Sequence, residues 1–122
     1  MNPVTLVYIA LGGAAGSVAR ALVGWAIQSR FPWGTLLINV AGSLLIGWLM
    51  ARLGNLEPAD FSRWHGLLVI GFCGGFTTFS SFSWQTLDQM LNGQWLAAVA
   101  NVLLSVSLCL LAVWGGFRLG HA

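Results

Sequence analysis

Four apolar runs, residues 4–27, 33–52, 64–91 and 95–117, limit what this chain can become. A hydrocarbon core of about 30 Å needs about 20 apolar residues in helical form, and each run meets that length. Water is absent at that depth, so backbone N–H and C=O groups must bond internally, which favours helices. Composition agrees: 57% of the 122 residues are hydrophobic and 7% are charged, whereas about a quarter are charged in soluble domains. The expectation is an all-α membrane protein, a single four-span domain over 1–122, joined by connections at 28–32, 52–63 and 92–94. Met1-Asn2-Pro3-Val4 lacks the basic region of a signal peptide and the run behind it is too long for one, so span 1 is expected to be genuine.

The charges are few: Arg20, Arg30, Arg52, Arg63 and Arg118 against Glu57, Asp60 and Asp88, a net +2. That is too sparse for a nucleic-acid surface. With four spans, both termini and the 52–63 connection share one side, carrying Arg52, Arg63 and Arg118, with Arg30 opposite. Orientation follows Lys/Arg asymmetry. A bias this small permits insertion in either direction, and so an antiparallel homodimer. Trp25, Trp33, Trp64, Trp95 and Trp114 lie near run ends, as an interfacial aromatic belt requires. Cys73 and Cys109 fall within spans and lack metal-ligand spacing, so they read as small buried residues. The serines lack a base within reach, since His65 and His121 sit at a loop edge and in the tail, and no enzyme is expected.

Polar and small residues recur every four positions: Gly12, Gly16, Arg20 and Gly24 in span 1, Thr35, Asn39, Ser43 and Gly47 in span 2, and Asn101, Ser105 and Cys109 in span 4. Such spacing places each set along one helix face and lets backbones approach closely. Arg20 is expected to face the bundle interior or an aqueous vestibule. Asn39 needs hydrogen-bond partners and can serve as glue between helices, as the lining of an aqueous path, or as both. Span 3 would reach about 42 Å as one helix, more than the core needs. A break at Gly74-Gly75 is expected, with Gly71 and Gly75 forming a contact face before it. Gln85, Asp88 and Gln89 read as a helix running out to solvent.

Residues 71–83 gather glycines, hydroxyls and phenylalanines, and carry the chemistry. Phe79 and Phe82, three apart, project from about one side of a helix. Aromatic edges are electropositive, and the hydroxyls of Thr77, Thr78, Ser80, Ser81 and Ser83 can replace a water shell. Both suit an anion that must be selected and then released. Ordinary ring packing is the competing account of that spacing. A small dual-topology multidrug or cation exporter is the alternative function, since it matches in length and span count. Proton-coupled export needs an intramembrane carboxylate, and span 1 has no acid.

Three segments carry a resemblance. Gly12-Gly13-Ala14-Ala15-Gly16-Ser17-Val18-Ala19-Arg20, Gly34-Thr35-Leu36-Leu37-Ile38-Asn39-Val40-Ala41-Gly42-Ser43 and Gly71-Phe72-Cys73-Gly74-Gly75-Phe76-Thr77-Thr78-Phe79-Ser80-Ser81-Phe82 follow one another. In order and spacing they resemble the Fluc (CrcB-type) fluoride channel family across essentially the whole chain. The resemblance implies an antiparallel homodimer in the bacterial inner membrane, passively conducting fluoride out of the cytoplasm and so reducing its toxicity. It implies pore-lining rings at Phe79 and Phe82, Asn39 in or near the anion path, and a hydroxyl lining of Thr35, Ser80, Ser81 and Ser105. It further implies a sodium ion at the dimer centre, held by backbone carbonyls of Gly74 and Thr77, while Arg20 matches the family arginine. Asn101 stands where relatives often have tyrosine, Ser81 where threonine or alanine is common, and Phe76 where leucine is frequent.

Overall fold

Every apolar run becomes a helix, and four helices are long and apolar enough to cross a membrane: Pro3–Ala26, Trp33–Leu53, Pro58–Leu91 and Trp95–Gly120. The computed structural model describes residues 1–122. Helix α1 (Pro3–Ala26) starts where Asn2 Oδ1 accepts from Thr5 N at 2.9 Å, with Pro3 in the first turn, an N-cap followed by a residue with no N–H to satisfy. Helix α2 (Trp33–Leu53) follows Pro32. Helix α6 (Trp95–Gly120) follows a turn in which Gly93 takes φ 74, a conformation open mainly to glycine.

The third span departs from the sequence reading at three places. It begins earlier, because Pro58 opens a short helix α3 (Pro58–Trp64) inside the connection assigned to 52–63. It continues as a π-helix over His65–Cys73, then α4 (Gly74–Phe76), and resumes as α5 (Phe79–Leu91). The break therefore lies at Thr77-Thr78, not at Gly74-Gly75. Gly71 and Gly75 do form the expected contact face: a Cβ at Gly75 would lie 2.6 Å from Gly13 O, and one at Gly71 would lie 2.8 Å from Ile9 O. They admit the α1 backbone, and this contact keeps the chain helical through them. Threonine, stiff at χ1 and able to bond nearby backbone, suits the extended conformation that follows.

Contact with α1 also accounts for the π segment. Gly66 and Gly71 both face α1, Gly66 against Thr5 and Ile9, and Gly71 against Ile9 and Gly12. Five positions apart, they would point in different directions on an α-helix. Hydrogen bonding from i to i+5 widens the turn and brings them onto one side. From the other partner, Gly12 and Gly16 lie directly against Leu67 O and Phe72 O. Gly24, the last of that stripe, has nothing near it.

Helices α2 and α6 form the second close pair. Gly47 meets Val113 O, Gly116 meets Leu44 O, and Gly120 meets Ala51 and Trp48. These contacts carry α6 past residue 117, where the sequence reading ended span 4. A small apolar core of Leu49, Leu53, Val69 and Cys73 fills the space between α2 and the π segment. The outward faces hold exposed large side chains such as Leu11, Leu22, Leu96, Leu103 and Leu111, a surface suited to hydrocarbon. The chain is a multi-pass membrane protein.

Candidate functional site

The helix break is fastened from α2. Asn39 Nδ2 donates to Thr78 O at 3.0 Å, and Thr78 N donates to Asn39 Oδ1 at 2.8 Å. One carboxamide thus satisfies both main-chain groups of a residue that is 6% exposed, which would otherwise be orphaned at the break. Gly42, one turn along α2, lies against the Thr77 methyl, so the helix comes close enough for the short Asn39 side chain to reach. The geometry makes Asn39 glue between α2 and the break, and the same side chain lines the larger cavity.

Each threonine of the break bonds locally. Thr77 Oγ1 donates to Cys73 O at 2.7 Å, and the Thr78 hydroxyl accepts from Ser81 N at 3.1 Å as the N-cap of α5. Two helical donors are redirected at the break. Thr78 N, which would continue the helix onto Gly74 O, turns to Asn39. Ser81 N, which would bond Thr77 O, turns to the Thr78 side chain. The carbonyls of Gly74 and Thr77 are thereby freed from those helical partners.

Beyond the break, the rings of Phe79 and Phe82 lie 5.4 Å apart between centroids and are tilted by 49°. They meet on one side, as their spacing predicts, but in different surroundings: Phe79 is 77% exposed and Phe82 is 7% exposed. Phe82 is anchored through its backbone. Thr86 Oγ1 donates to Phe82 O at 2.8 Å and accepts from Asn101 Nδ2 at 3.0 Å, while Ser105 Oγ donates to Asn101 Oδ1 at 3.2 Å. This chain of bonds ties α5 to α6 and gives Asn101, 2% exposed, a definite place. Phe76 stacks on Phe72 with centroids 5.7 Å apart and packs near Gly42.

A cavity of about 680 Å³ has Asn39, Gly74, Thr77, Phe79, Phe82 and Ser105 in its lining. Ser43, His65 and Cys109 also line it. Thr35 lies elsewhere, in a polar cavity of about 270 Å³ beside Arg30 and Gln85. Ser80 is exposed and Ser81 half-buried, and neither lines these cavities; the Ser80 and Thr78 hydroxyls stand 3.3 Å apart. Arg20 is half-buried and lines neither cavity. The chain's ion pair is instead Arg63 with Asp60, at 3.9 Å and exposed.

Sequence reasoning overlooked Thr86 and misjudged Gln89, which is buried, not emerging into solvent. The signal was available in the spacing: Phe82, Thr86 and Gln89 stand at i, i+4 and i+7, one face of a helix.

The chain matches the CrcB-like protein, camphor resistance (CrcB) family over residues 7–117. It is 50% identical to a fluoride-specific ion channel FluC of Paramagnetospirillum magneticum, over 96% of this chain and 92% of the relative. The FluC channel of Rhodospirillum rubrum is 46% identical over the same shares. That of Solibacter usitatus is 49% identical over 93% of this chain and 95% of its own.

Proposed function

Because the chain belongs to the CrcB-like family, we propose that it is a fluoride-selective channel, passively releasing fluoride from the cytoplasm across the bacterial inner membrane. The observation that carries this reading is the lining of the larger cavity, where Phe79 and Phe82 stand with Asn39, Thr77 and Ser105. Ring edges, with the Asn39 Nδ2 hydrogen not used on Thr78, offer a small anion weak partners and no arginine or lysine, so it is stripped of water yet not trapped. No carboxylate lines this cavity, which argues against proton-coupled export of a cation.

The working unit is an antiparallel homodimer. Phe79 projects from the lone protomer, and the cavity it lines is only partly enclosed, so a second copy could complete it. The small charge bias supports dual insertion: Arg30 stands opposite Arg52, Arg63 and Arg118, and Lys/Arg flanking the spans set orientation. A sodium ion at the dimer centre fits the residues present. Gly74 O and Thr77 O are oxygen donors released by the break, and unwound carbonyls at a discontinuous helix suit Na⁺. The ion's charge would hold two broken helices together there.

The test is efflux from liposomes loaded with fluoride or chloride. Fluoride should leave far faster, and equal rates would end the selectivity claim. Phe79→Ile and Phe82→Ile should each slow fluoride release, and full rates for both would remove the rings from the path. Exchanging sodium for N-methylglucamine on both sides should reduce release; an unchanged rate would dismiss the ion.

A further inference from the structure

Gln89 is 5% exposed, and neither its Oε1 nor its Nε2 has a hydrogen-bond partner in the protomer. An amide left so costs free energy unless something meets it. Its backbone is occupied, since Gln89 O accepts from Gln94 N at 2.8 Å and closes the turn into α6. The Thr86–Asn101 bond sets the register between α5 and α6. One turn nearer the 92–94 connection, Gln89 therefore stands opposite Ala98, which is 0% exposed and whose methyl offers nothing to an amide. A second copy of the chain has almost no surface of Gln89 to cover, so a partner from outside the chain would be small and would enter the protomer. Gln85, one turn earlier on α5, also keeps a buried Oε1 without a partner. It lines the 270 Å³ polar cavity with Arg30 and Thr35.

We infer that Gln89 is a further anion-coordinating residue, holding fluoride in company with water between α5 and α6, one turn along α5 from the Gln85 that lines the polar cavity. The inference rests on the channel reading. A carboxamide needs an acceptor for its N–H₂ and a donor for its C=O together. A bare halide supplies only the first. A halide carrying a water supplies both, so this residue suits an anion losing or regaining its shell, whereas the ring wall suits one already stripped.

The test replaces Gln89 by methionine, of similar length and without amide hydrogen bonds, in the full chain reconstituted in liposomes. Gln89→Met should slow fluoride efflux roughly ten-fold, the loss expected for one hydrogen bond to a charged group, with elution volume and helicity unchanged. Efflux equal to the parent's overturns the inference and leaves the channel reading intact, whereas a parent that releases no fluoride removes both. Should the variant fail to assemble, the unmodified protein decides by nuclear magnetic resonance. Sodium fluoride should shift the Gln89 side-chain amide resonance and sodium chloride at equal ionic strength should not. A resonance that fluoride leaves in place identifies an ordered water only and overturns the inference.

Discussion

Asn39 both donates to and accepts from a single residue, Thr78, at the far side of the break. Its replacement by leucine keeps the volume and strands a buried N–H and C=O. The expected loss is about 2–6 kcal/mol, from about 1–3 for each unmet group. Thermal unfolding in detergent should register it, and an unchanged midpoint would show that the clamp contributes nothing. At this scale the sequence announced that Asn39 mattered, because an amide in hydrocarbon must have partners. It did not name Thr78, since a partner 39 positions away depends on how α2 and the break meet. Asn101 is similar: its departure from the family pattern was visible, but its bonds to Thr86 and Ser105 follow from the register of α5 against α6. Gln89 was misjudged because a polar residue near a helix end ordinarily marks the exit to water, whereas this one faces α6.

Elements were more legible than their interruptions. Hydropathy and length marked the four spans closely, because lipid leaves the chain few alternatives. The break was expected two to four residues early: Gly71 and Gly75 do form the expected contact face, and that same contact keeps the chain helical through Gly74-Gly75. The π segment left only the five-residue spacing of Gly66 and Gly71 as a trace. The span 1 stripe provides an internal comparison. Gly16→Ala would push a methyl into Phe72 O and should destabilise by about 1–3 kcal/mol, as overpacking does. Gly24→Ala meets nothing within 4 Å and should stabilise by about 0.5–1 kcal/mol through helix preference alone. Equal effects in the same unfolding assay would show that the α1 contact with the π segment is not what holds these helices.

For the whole molecule, the proposed dimer makes orientation a matter of few charges. Adding two arginines after residue 120 should fix one orientation, and fluoride release from membranes holding that variant alone should fall sharply. Co-expression with a variant carrying its added arginines in the 28–32 connection should restore it. Release by the first variant alone at the parental rate would exclude the antiparallel arrangement. The sequence made this level accessible through charge count and family resemblance, whereas the lone protomer contributes the partly enclosed cavity and the projecting Phe79.

The fastening of the break by Asn39 also has a kinetic consequence. Thr78 carries no helical hydrogen bond, and a non-helical residue between two helices ordinarily trades its amide hydrogen with solvent deuterium quickly. Here that hydrogen is held by a side chain from another span, so its release requires α2 and the third span to part. Thr78 should therefore exchange as slowly as the helix interiors around it, and Asn39→Leu should bring it to the rate of the 92–94 turn. Rapid exchange at Thr78 in the parent would mean that the bond opens independently of the fold. The slowest-exchanging amide outside a helix would then mark the point where the broken span is joined to its neighbour.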